Sequence, residues 1–563
     1  MAKRFLAAAA FSLAGAFACA QVPAPVPEPS PDKNVEELSE PTLYDFLLGE
    51  IALQRGDLPL AAKTYLELAR RTRDGRVARR AVEIANQARE AELALEAARL
   101  WHEIEPASSH ALQVLAATLV AAKRVDEAGP VLEKLFTVEG VSRENAFMQV
   151  NRLLAGNPDK AANLRVIRGI AAKHPQLAQA HFAVAQAALA AGDDPAALAA
   201  AREAQKIRPD WELGVLLEAQ VLQKRSNAEA AKRLGEFVQK YPQAREARLS
   251  YARVLVLEKR LGEARKQFEA VAGANPANPD VIYAVGLLAY QLKDYSAAED
   301  YMKRVLGLNY RDPEGVRYVL GQIAEEQKHW PRAIQWYESI QSGDHVVPAR
   351  MRTANAIAKQ GKLDEARAYL RRVATENPED EVQLIVAEAQ LLRDASKHTD
   401  AFTLLSDALG KQPEQPELLY DLALTAEKLE RFDLLESHLR DLIRIKPDHA
   451  HAYNALGYSF ADRNTRLPEA RKLIEKALEL SPEDYFIIDS MGWVLYREGD
   501  LKGAARELRR AYSGRPDAEI GAHLGEVLWM LGERDEARRI WDEALKSGPE
   551  NETLQKTIKR LRK

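Results

Sequence analysis

A proline returns every 33 to 35 residues along most of the chain, and this period constrains the fold more than any other feature. In one copy Gly492, Ala504 and Pro516 lie twelve residues apart, and the next copy repeats both intervals. A unit this short cannot bury an apolar face alone, so units of this kind must stack against one another. The closing prolines are Pro209, Pro242, Pro276, Pro378, Pro413, Pro447, Pro482, Pro516 and Pro549, and the gap after Pro276 spans three units.

The small residues predict how two helices meet inside each unit. Two helices cross closely only where side chains are small, so we expect Gly492 and Ala504 to form that contact. Leu495 and Leu508 would fill the layer around it, and Gly499 would supply the turn. The proline then closes the second helix, because it cannot continue one.

This pattern resembles the tetratricopeptide repeat, a 34-residue helix-turn-helix unit with small residues at its eighth and twentieth positions. The resemblance covers residues 42–549, although the unit at 142–175 is weak and the second unit lacks the turn glycine. It implies an all-α fold, a right-handed α-solenoid of about fifteen tetratricopeptide-type helix-turn-helix repeats.

The last residues, 550–563, have the pattern of a helix that covers the final repeat. Leu554, Ile558 and Leu561 lie on one face of a basic amphipathic stretch. We predict a C-terminal capping helix, because a terminal repeat needs a polar outer surface. Binding to a membrane surface is the alternative interpretation of the same pattern.

Composition and charge exclude several classes of protein. Hydrophobic residues make up 47% and charged residues 29%, as in ordinary folded proteins. A formal net charge of −4 argues against a nucleic-acid partner held by phosphate neutralisation. One cysteine excludes a disulfide framework and a thiolate metal cluster. The repeats leave no room for a catalytic domain and carry no phosphate loop or nucleophile elbow, so we predict a non-enzyme without cofactor or metal.

Residues 1–20 have the composition of an export signal. Two basic residues precede an apolar run at 5–18, which is too short to span a bilayer comfortably, and small residues flank Cys19 as at a cleavage site. Two interpretations of Cys19 stay open: it is removed with the signal, or it accepts a lipid. Small residues before Cys19 fit a lipid-attachment box, whereas Phe17 does not.

The segment at 21–41 is predicted to be a spacer. It begins QVPAPVPEPSP, and alternating prolines keep such a segment extended. A spacer is useful where a domain must reach away from a surface, which favours lipid attachment. We therefore predict an exported, periplasmic protein, either soluble or anchored to the outer membrane by a lipid on Cys19, which would be its only membrane attachment.

The stretch GWVLYREGDLKGA at 492–504 is dense in aromatic and charged residues. In tetratricopeptide repeats the concave surface is lined by the second, fifth, ninth, twelfth and thirteenth positions. On this register Trp493, Tyr496 and Arg497 share a helical face apart from Gly492, and the resemblance implies a groove that binds other proteins. The alternative is that these side chains pack between adjacent first helices. The candidate groove residues are Asn454, Tyr458, Asp462, Asp489, Trp493, Tyr496, Arg497 and Trp529.

Two further features have plainer interpretations. His449 and His451 form an HxH pair without a cysteine or carboxylate at metal-ligand spacing, so we expect solvated side chains rather than a zinc site. Tyr283 and Tyr290 occupy inner positions of the eighth unit, where they either face the groove or pack between repeats.

Two segments resemble one bacterial family in particular. They are YDFLLGEIALQRGDLPLAAKTYLELARRTRD at 44–74 and NALGYSFADRNTRLPEARKLIEKALELSPEDYFIIDSMGWVLYREGD at 454–500. Both are similar to the long tetratricopeptide outer-membrane lipoprotein that is the adaptor of a periplasmic carboxyl-terminal processing protease in proteobacteria. The resemblance implies a non-enzymatic adaptor that binds the protease and presents substrates such as cell-wall hydrolases. The alternative is a structural assembly factor for exopolysaccharide export or outer-membrane biogenesis.

Overall fold

The computed structural model describes residues 39–137 and 142–562. Within these two stretches all regular secondary structure is helical, in 31 α-helices and two short 3-10 turns. The predicted export signal, Cys19 and most of the 21–41 spacer lie outside the described residues. The chain divides into two compact units, Met1–Ala247 and Arg248–Lys563.

The first unit is built from helices joined by short turns, with one 3-10 turn at Leu135–Thr137. Its helices are α1 (Glu40–Gln54), α2 (Leu58–Thr72), α3 (Gly75–Gln87), α4 (Ala91–Ile104), α5 (Ser109–Ala121), α6 (Val125–Lys134), α7 (Arg143–Ala155), α8 (Lys160–Ala171), α9 (Ala178–Ala190), α10 (Asp194–Ile207), α11 (Glu212–Gln223) and α12 (Asn227–Lys240). The division between the units falls inside α13 (Arg245–Leu257).

The second unit continues the same alternation of helix and turn, with one 3-10 turn at Pro378–Asp380. Its further helices are α14 (Leu261–Ala274), α15 (Pro279–Gln291), α16 (Tyr295–Leu306), α17 (Pro313–Glu326), α18 (Trp330–Glu338), α19 (Val346–Ala358), α20 (Leu363–Glu376), α21 (Glu381–Asp394), α22 (His398–Lys411), α23 (Pro416–Lys428), α24 (Phe432–Ile445), α25 (Ala450–Asp462), α26 (Leu467–Leu480), α27 (Tyr485–Glu498), α28 (Leu501–Gly514), α29 (Ala518–Leu531), α30 (Arg534–Ser547) and α31 (Glu552–Leu561).

Within the described stretches, consecutive helices pack in pairs from α1 with α2 to α11 with α12 in the first unit, and from α15 with α16 to α29 with α30 in the second. Counted along the sequence with α13 and α14, these make fifteen helix-turn-helix repeats followed by α31. The predicted all-α array of about fifteen repeats is therefore confirmed. The fourth repeat is the exception in its packing, because α8 packs more closely on α6 and α9 than on its partner α7. This is the repeat in which the sequence pattern is weakest.

The turn inside most repeats requires one residue with left-handed backbone. Gly499 takes this position with φ of 92°, a conformation open to glycine at little cost. The second repeat, which lacks the glycine, places Arg89 there with φ of 58°. Other polar or charged residues that take a left-handed conformation in the corresponding turns are Lys123, Lys259, Lys293, Lys328, Ser396, Glu430 and Asn464. A repeat without the glycine therefore still forms the turn, but a residue with a side chain adopts the left-handed conformation there at a cost in backbone strain.

The close helix crossing predicted from the small residues is present in the fourteenth repeat. A Cβ atom added to Gly492 would lie 2.5 Å from Cγ of Leu508 and 3.3 Å from the carbonyl oxygen of Ala504. Ala504 and Leu508 are both fully buried. The two helices can therefore approach this closely only because position 492 has no side chain.

Helix α31 covers the last repeat as predicted. Leu554 is fully buried, and Ile558 and Leu561 pack half-buried against the core of the second unit. The Arg560 guanidinium donates a hydrogen bond to the buried Glu526 carboxylate on α29. The apolar face of α31 is thus occupied by packing within the chain. Among the described helices, none is both long and apolar enough to cross a membrane.

Candidate protein-binding surface

Several of the predicted groove residues meet around one buried histidine, His523 on α29. Its Nδ1 lies 3.0 and 3.1 Å from the two carboxylate oxygens of Asp489 on α27. Its Nε2 lies 3.4 Å from the Tyr458 hydroxyl on α25, and its ring stacks on Trp493 with centroids 4.1 Å apart. One side chain therefore ties together the first helices of three successive repeats.

The charge state of this cluster follows from burial and from its carboxylates. Burial alone lowers the pKa of His523, but the Asp489 carboxylate, helped by Glu519 and Asp462, outweighs it and raises the pKa above its ordinary value. Burial raises the pKa of Tyr458 well above its ordinary range, and the same carboxylates act in the same direction. The carboxylates thus favour the protonated form of the histidine, while burial favours the neutral form of the phenol.

Trp493 and Asp489 belong to the packed interior rather than to an open groove, since each is only 5% exposed. The Trp493 indole N–H lies 3.3 Å from the Asp462 carboxylate, and the Arg497 guanidinium lies 4.8 Å above its ring. Arg497 also donates to the backbone carbonyl of Asp462 at 2.9 Å. For these residues the structure favours the alternative of packing between adjacent first helices.

The remaining predicted residues are more accessible. The half-buried Tyr496 donates its hydroxyl to Glu526 at 3.0 Å, and Asp462 is exposed. Trp529 is half-buried beside Trp541, with ring centroids 5.6 Å apart. The Asn454 carboxamide oxygen is buried without a hydrogen-bond partner.

The other sequence candidates are half-buried at His449, Tyr283 and Tyr290 and exposed at His451, as expected for a solvated histidine. His449 and His451 have ring centroids 6.5 Å apart, and His449 Nδ1 accepts from the backbone N–H of Ala452 as a helix cap. Nowhere in the described stretches do three or more metal-binding side chains come together. Tyr283 stacks on Tyr310 with centroids 5.1 Å apart, which favours the inter-repeat packing interpretation.

A hollow of about 240 Å³ lies upstream of the predicted groove, on the same face of the first helices. Met351 on α19, Val386 on α21 and Tyr420 on α23 contribute to its lining, and each occupies the fifth position of its repeat. The residues that line this hollow are Met351, Gln383, Val386, Pro416, Glu417, Tyr420, Asp421, Lys446 and His449.

Our sequence interpretation missed this hollow, although a signal was present. The fifth positions of consecutive repeats are Met351, Val386, Tyr420, Asn454 and Asp489, at intervals of 34 or 35 residues. The series is apolar or aromatic at its first three members and polar at the last two. Comparing this position along the array would have indicated the apolar end as the more open surface.

Burial also governs the charged groups of the hollow. It raises the pKa of Tyr420 to about 12 and that of the Asp421 carboxyl above its ordinary value, against the effect of Arg393 at 2.6 Å. Burial lowers the pKa of His449. The lining therefore presents a neutral phenol and a neutral imidazole near neutral pH, which suits the docking of an apolar side chain.

A family model described as tetratricopeptide repeat matches residues 218–279, 283–345, 344–381, 386–434, 434–485 and 490–552. The chain is 34% identical over 525 residues to the TPR repeat-containing protein PA4667 of Pseudomonas aeruginosa, covering 93% of this chain and 88% of that protein. It is 23% identical over 278 residues to the cellulose synthase 2 operon protein C of Komagataeibacter xylinus, which spans 49% of this chain and only 20% of that protein.

Solved structures with partial similarity include yeast Tom70, at 13% identity and a TM-score of 0.34, covering 93% of this chain and 96% of that one. Another is a chain of the Naa15/Naa10 complex bound to HypK-THB, at 17% identity and a TM-score of 0.38, covering 71% and 68%. Because the family model matches more than half of the residues and the Pseudomonas relative aligns over nearly the whole length, the chain belongs to the tetratricopeptide repeat family.

Proposed function

We propose that this chain is an exported, non-enzymatic adaptor whose first-helix face holds other proteins. The observation that carries the proposal is the hollow, because it places Met351, Val386 and Tyr420 from three successive repeats on one accessible surface. Apolar and aromatic side chains presented on a rigid scaffold are what protein-binding surfaces favour. Stacked repeats supply that rigidity, since each repeat is fixed by its neighbours.

The partner we propose is a periplasmic carboxyl-terminal processing protease, together with substrates such as cell-wall hydrolases. The support is the similarity of the segments at 44–74 and 454–500 to the adaptor lipoproteins of such proteases. The N-terminal signal pattern at 1–20 is consistent with the compartment where these proteases act.

Site-specific photocrosslinking tests the proposal in living cells. A photoreactive phenylalanine analogue replaces Gln383, an exposed residue on the rim of the hollow, and crosslinked partners are identified by mass spectrometry. The matched control places the same analogue at Asp535, whose side chain is fully exposed on α30. We expect the protease or its substrates at position 383 only. Equal recovery at both positions, or no protein at position 383, would contradict the proposed use of this surface.

The compartment needs a separate experiment. With lipid attached to Cys19, globomycin should cause an unprocessed precursor to accumulate, and Cys19→Ala should release the protein from membranes. Processing that globomycin leaves unchanged, with the same solubility for the Cys19→Ala variant and the original protein, would remove the lipid anchor from the proposal and leave a soluble periplasmic protein. If the protein stayed in the cytoplasm, the proposed export signal would be wrong as well.

A second candidate is an assembly factor for exopolysaccharide export or outer-membrane biogenesis. The observation that favours it is the partial similarity to the cellulose synthase 2 operon protein C of Komagataeibacter xylinus. Deleting the gene and measuring secreted polysaccharide separates the two candidates. A loss of secreted polysaccharide with normal turnover of cell-wall hydrolases would favour the assembly factor, and the reverse result would favour the adaptor.

A further inference from the structure

Helix α1 carries apolar side chains on two opposite faces, and the described chain packs against only one of them. On that face Gly49 and Ala52 are buried, and the Tyr65 hydroxyl of α2 donates to Glu50. The other face is open, and its four apolar side chains are between 44% and 64% exposed. We call this set the α1 face, and it consists of Leu43, Tyr44, Leu47 and Ile51.

The position of α1 explains why this face is open. In the second repeat the first helix, α3, has the preceding repeat against it, because it packs on α2. Within the described stretches only Ser39 precedes α1, so no preceding repeat covers it. The last repeat differs, since α31 covers it with the buried Leu554. Because repeats are stabilised by stacking, the α1 face is a surface that another helix would stabilise.

The spacing of the α1 face suits pairing with a copy of itself. Leu43, Leu47 and Ile51 follow one another at intervals of four residues, which puts them in one row along the helix. Rows of this spacing pack into one another when two helices cross. If the second helix runs antiparallel about Leu47, Leu43 of each copy meets Ile51 of the other, and Leu47 meets its own counterpart.

The charges at the ends of α1 favour that antiparallel direction. Glu40 lies seven residues before Leu47 and Arg55 lies eight residues after it, so each stands about 10–12 Å from the centre. Both charged side chains are exposed. An antiparallel pair brings Glu40 of one copy near Arg55 of the other, and symmetry makes this contact twice. A parallel pair would put like charges side by side instead.

The open area is large enough for a weak, specific pair. The α1 face and the neighbouring Phe46, which is 44% exposed, leave on the order of 450 Å² of apolar surface on one copy. Two copies bury twice this area, and the polar rim brings the total to the roughly 1,000 Å² that specific interfaces need. An interface of this size favours dissociation in the micromolar range.

We propose that two copies of this chain pair through the α1 face, antiparallel across a two-fold axis at Leu47. A closed two-fold pair uses the same surface on both copies, as a self-complementary row requires. The inference goes beyond the proposed function and does not depend on it, because α1 belongs to the first unit and the hollow to the second.

Thiol crosslinking in cells tests the two-fold axis. The full chain carries Cys19→Ala, which removes its single cysteine, and Leu47→Cys then introduces the only thiol. An oxidant should join two copies through position 47, and mass spectrometry identifies the product. Ile51→Cys should not crosslink, because Ile51 faces Leu43 of the other copy. The control for random collision is Leu257→Cys on α13, since Leu257 is 54% exposed and Leu47 is 49% exposed.

Charge reversal tests the antiparallel direction. Sedimentation equilibrium of the purified Cys19→Ala chain gives the dissociation constant of the pair. Glu40→Arg should weaken pairing about ten-fold, because it turns two attractive contacts into repulsive ones, and Glu40→Arg/Arg55→Glu should restore it. Circular dichroism melting of each variant checks folding, and the charge-reversal variants decide if Leu47→Cys is misfolded.

Several results would overturn the pairing. One is a chain that stays monomeric at about 200 μM, far above a micromolar Kd. Others are equal crosslinking at positions 47 and 257, equal crosslinking at positions 47 and 51, or no rescue by the double charge reversal.

Two further results would assign the α1 face to another occupant and so also overturn the pairing. A monomer that dimerises only after deletion of residues 21–38 would show that the chain's own segment covers the face. A monomer that co-sediments with phosphatidylglycerol vesicles, and no longer does so with Leu47→Glu, would assign the face to a membrane surface. The proposed function would stand in each case if the photocrosslinker at position 383 recovered a protein partner.

Discussion

The buried pair of His523 and Asp489 makes a stability prediction that depends on pH. The perturbation is Asp489→Asn, which removes the negative charge while keeping the size of the side chain. His523 is 2% exposed and lies 3.0 Å from the Asp489 carboxylate, so water cannot replace the lost partner. Removing one member of a buried ion pair typically costs about 3–5 kcal/mol when the other must stay charged.

The cost should shrink at high pH, because His523 can release its proton. The pKa of His523 in the folded chain is raised above its ordinary value of 6.5. The stabilisation by the ion pair is therefore fully present below about pH 6.5 and is lost as the pH rises through the folded-state pKa. The introduced amide oxygen still accepts from a neutral Nδ1–H, and a neutral hydrogen bond is worth about 0.5–1.5 kcal/mol. We expect Asp489→Asn to cost about 3 kcal/mol at pH 6 and about 1 kcal/mol at pH 9.

Native-state hydrogen exchange of the α27 and α29 amides is the assay, because a repeat array loses stability locally. Urea unfolding followed by circular dichroism adds the global value at both pH values. The control is Asp535→Asn, which removes the same charge from a fully exposed side chain and should change stability by less than about 0.5 kcal/mol. A cost of Asp489→Asn that is the same at pH 6 and pH 9, or no larger than that of the control, would refute the reasoning.

Three further predictions concern packing and turns, and urea unfolding checks each of them. Ala504→Leu adds bulk at the close crossing with Gly492 and should cost about 1–3 kcal/mol, and unchanged unfolding would contradict the helix register. Trp493→Ala should lower the free energy of unfolding by about 3–5 kcal/mol, because the ring is 5% exposed and stacks on His523. A loss of partner binding without loss of stability would instead assign Trp493 to the binding groove. Gly499→Ala puts a side chain on left-handed backbone at φ of 92° and should lower the free energy of unfolding by about 1 kcal/mol. Lys293→Gly, at a turn that is already strained at φ of 60°, should change the free energy of unfolding by less than about 0.5 kcal/mol. Equal effects of the two substitutions would refute the strain argument.

Much of the fold could be predicted because each repeat is specified locally. The spacing of Gly492, Ala504 and Pro516 indicated two helices and a stop, and the same spacing counted about fifteen repeats. The left-handed turns at Arg89 and the other non-glycine positions could not be predicted, because no glycine marks them in the sequence. A turn of this length adopts left-handed backbone to reconnect two packed helices, whichever residue occupies it.

The candidate site could be predicted only in part, because helical position does not decide which neighbour a side chain meets. Trp493 and Asp489 stand on the inner register as predicted, yet His523 from the next repeat covers them. His523 itself occupies a sixth position, outside the set used to predict the groove. Whether an inner side chain stays open depends on the size and polarity of the residues that the adjacent repeats bring against it.

The sequence alone therefore determined the all-α class, the repeat length, the close crossing at Gly492 and the apolar face of the capping helix. These features depend on residues less than one 34-residue repeat apart, and the geometry of a single helix pair determines which of those residues are in contact. Only the tertiary structure decided that the downstream aromatics are buried around His523 and that Met351, Val386 and Tyr420 line an open hollow. These side chains are separated by one or two whole repeats, and stacking of the repeats brings them together or holds them apart.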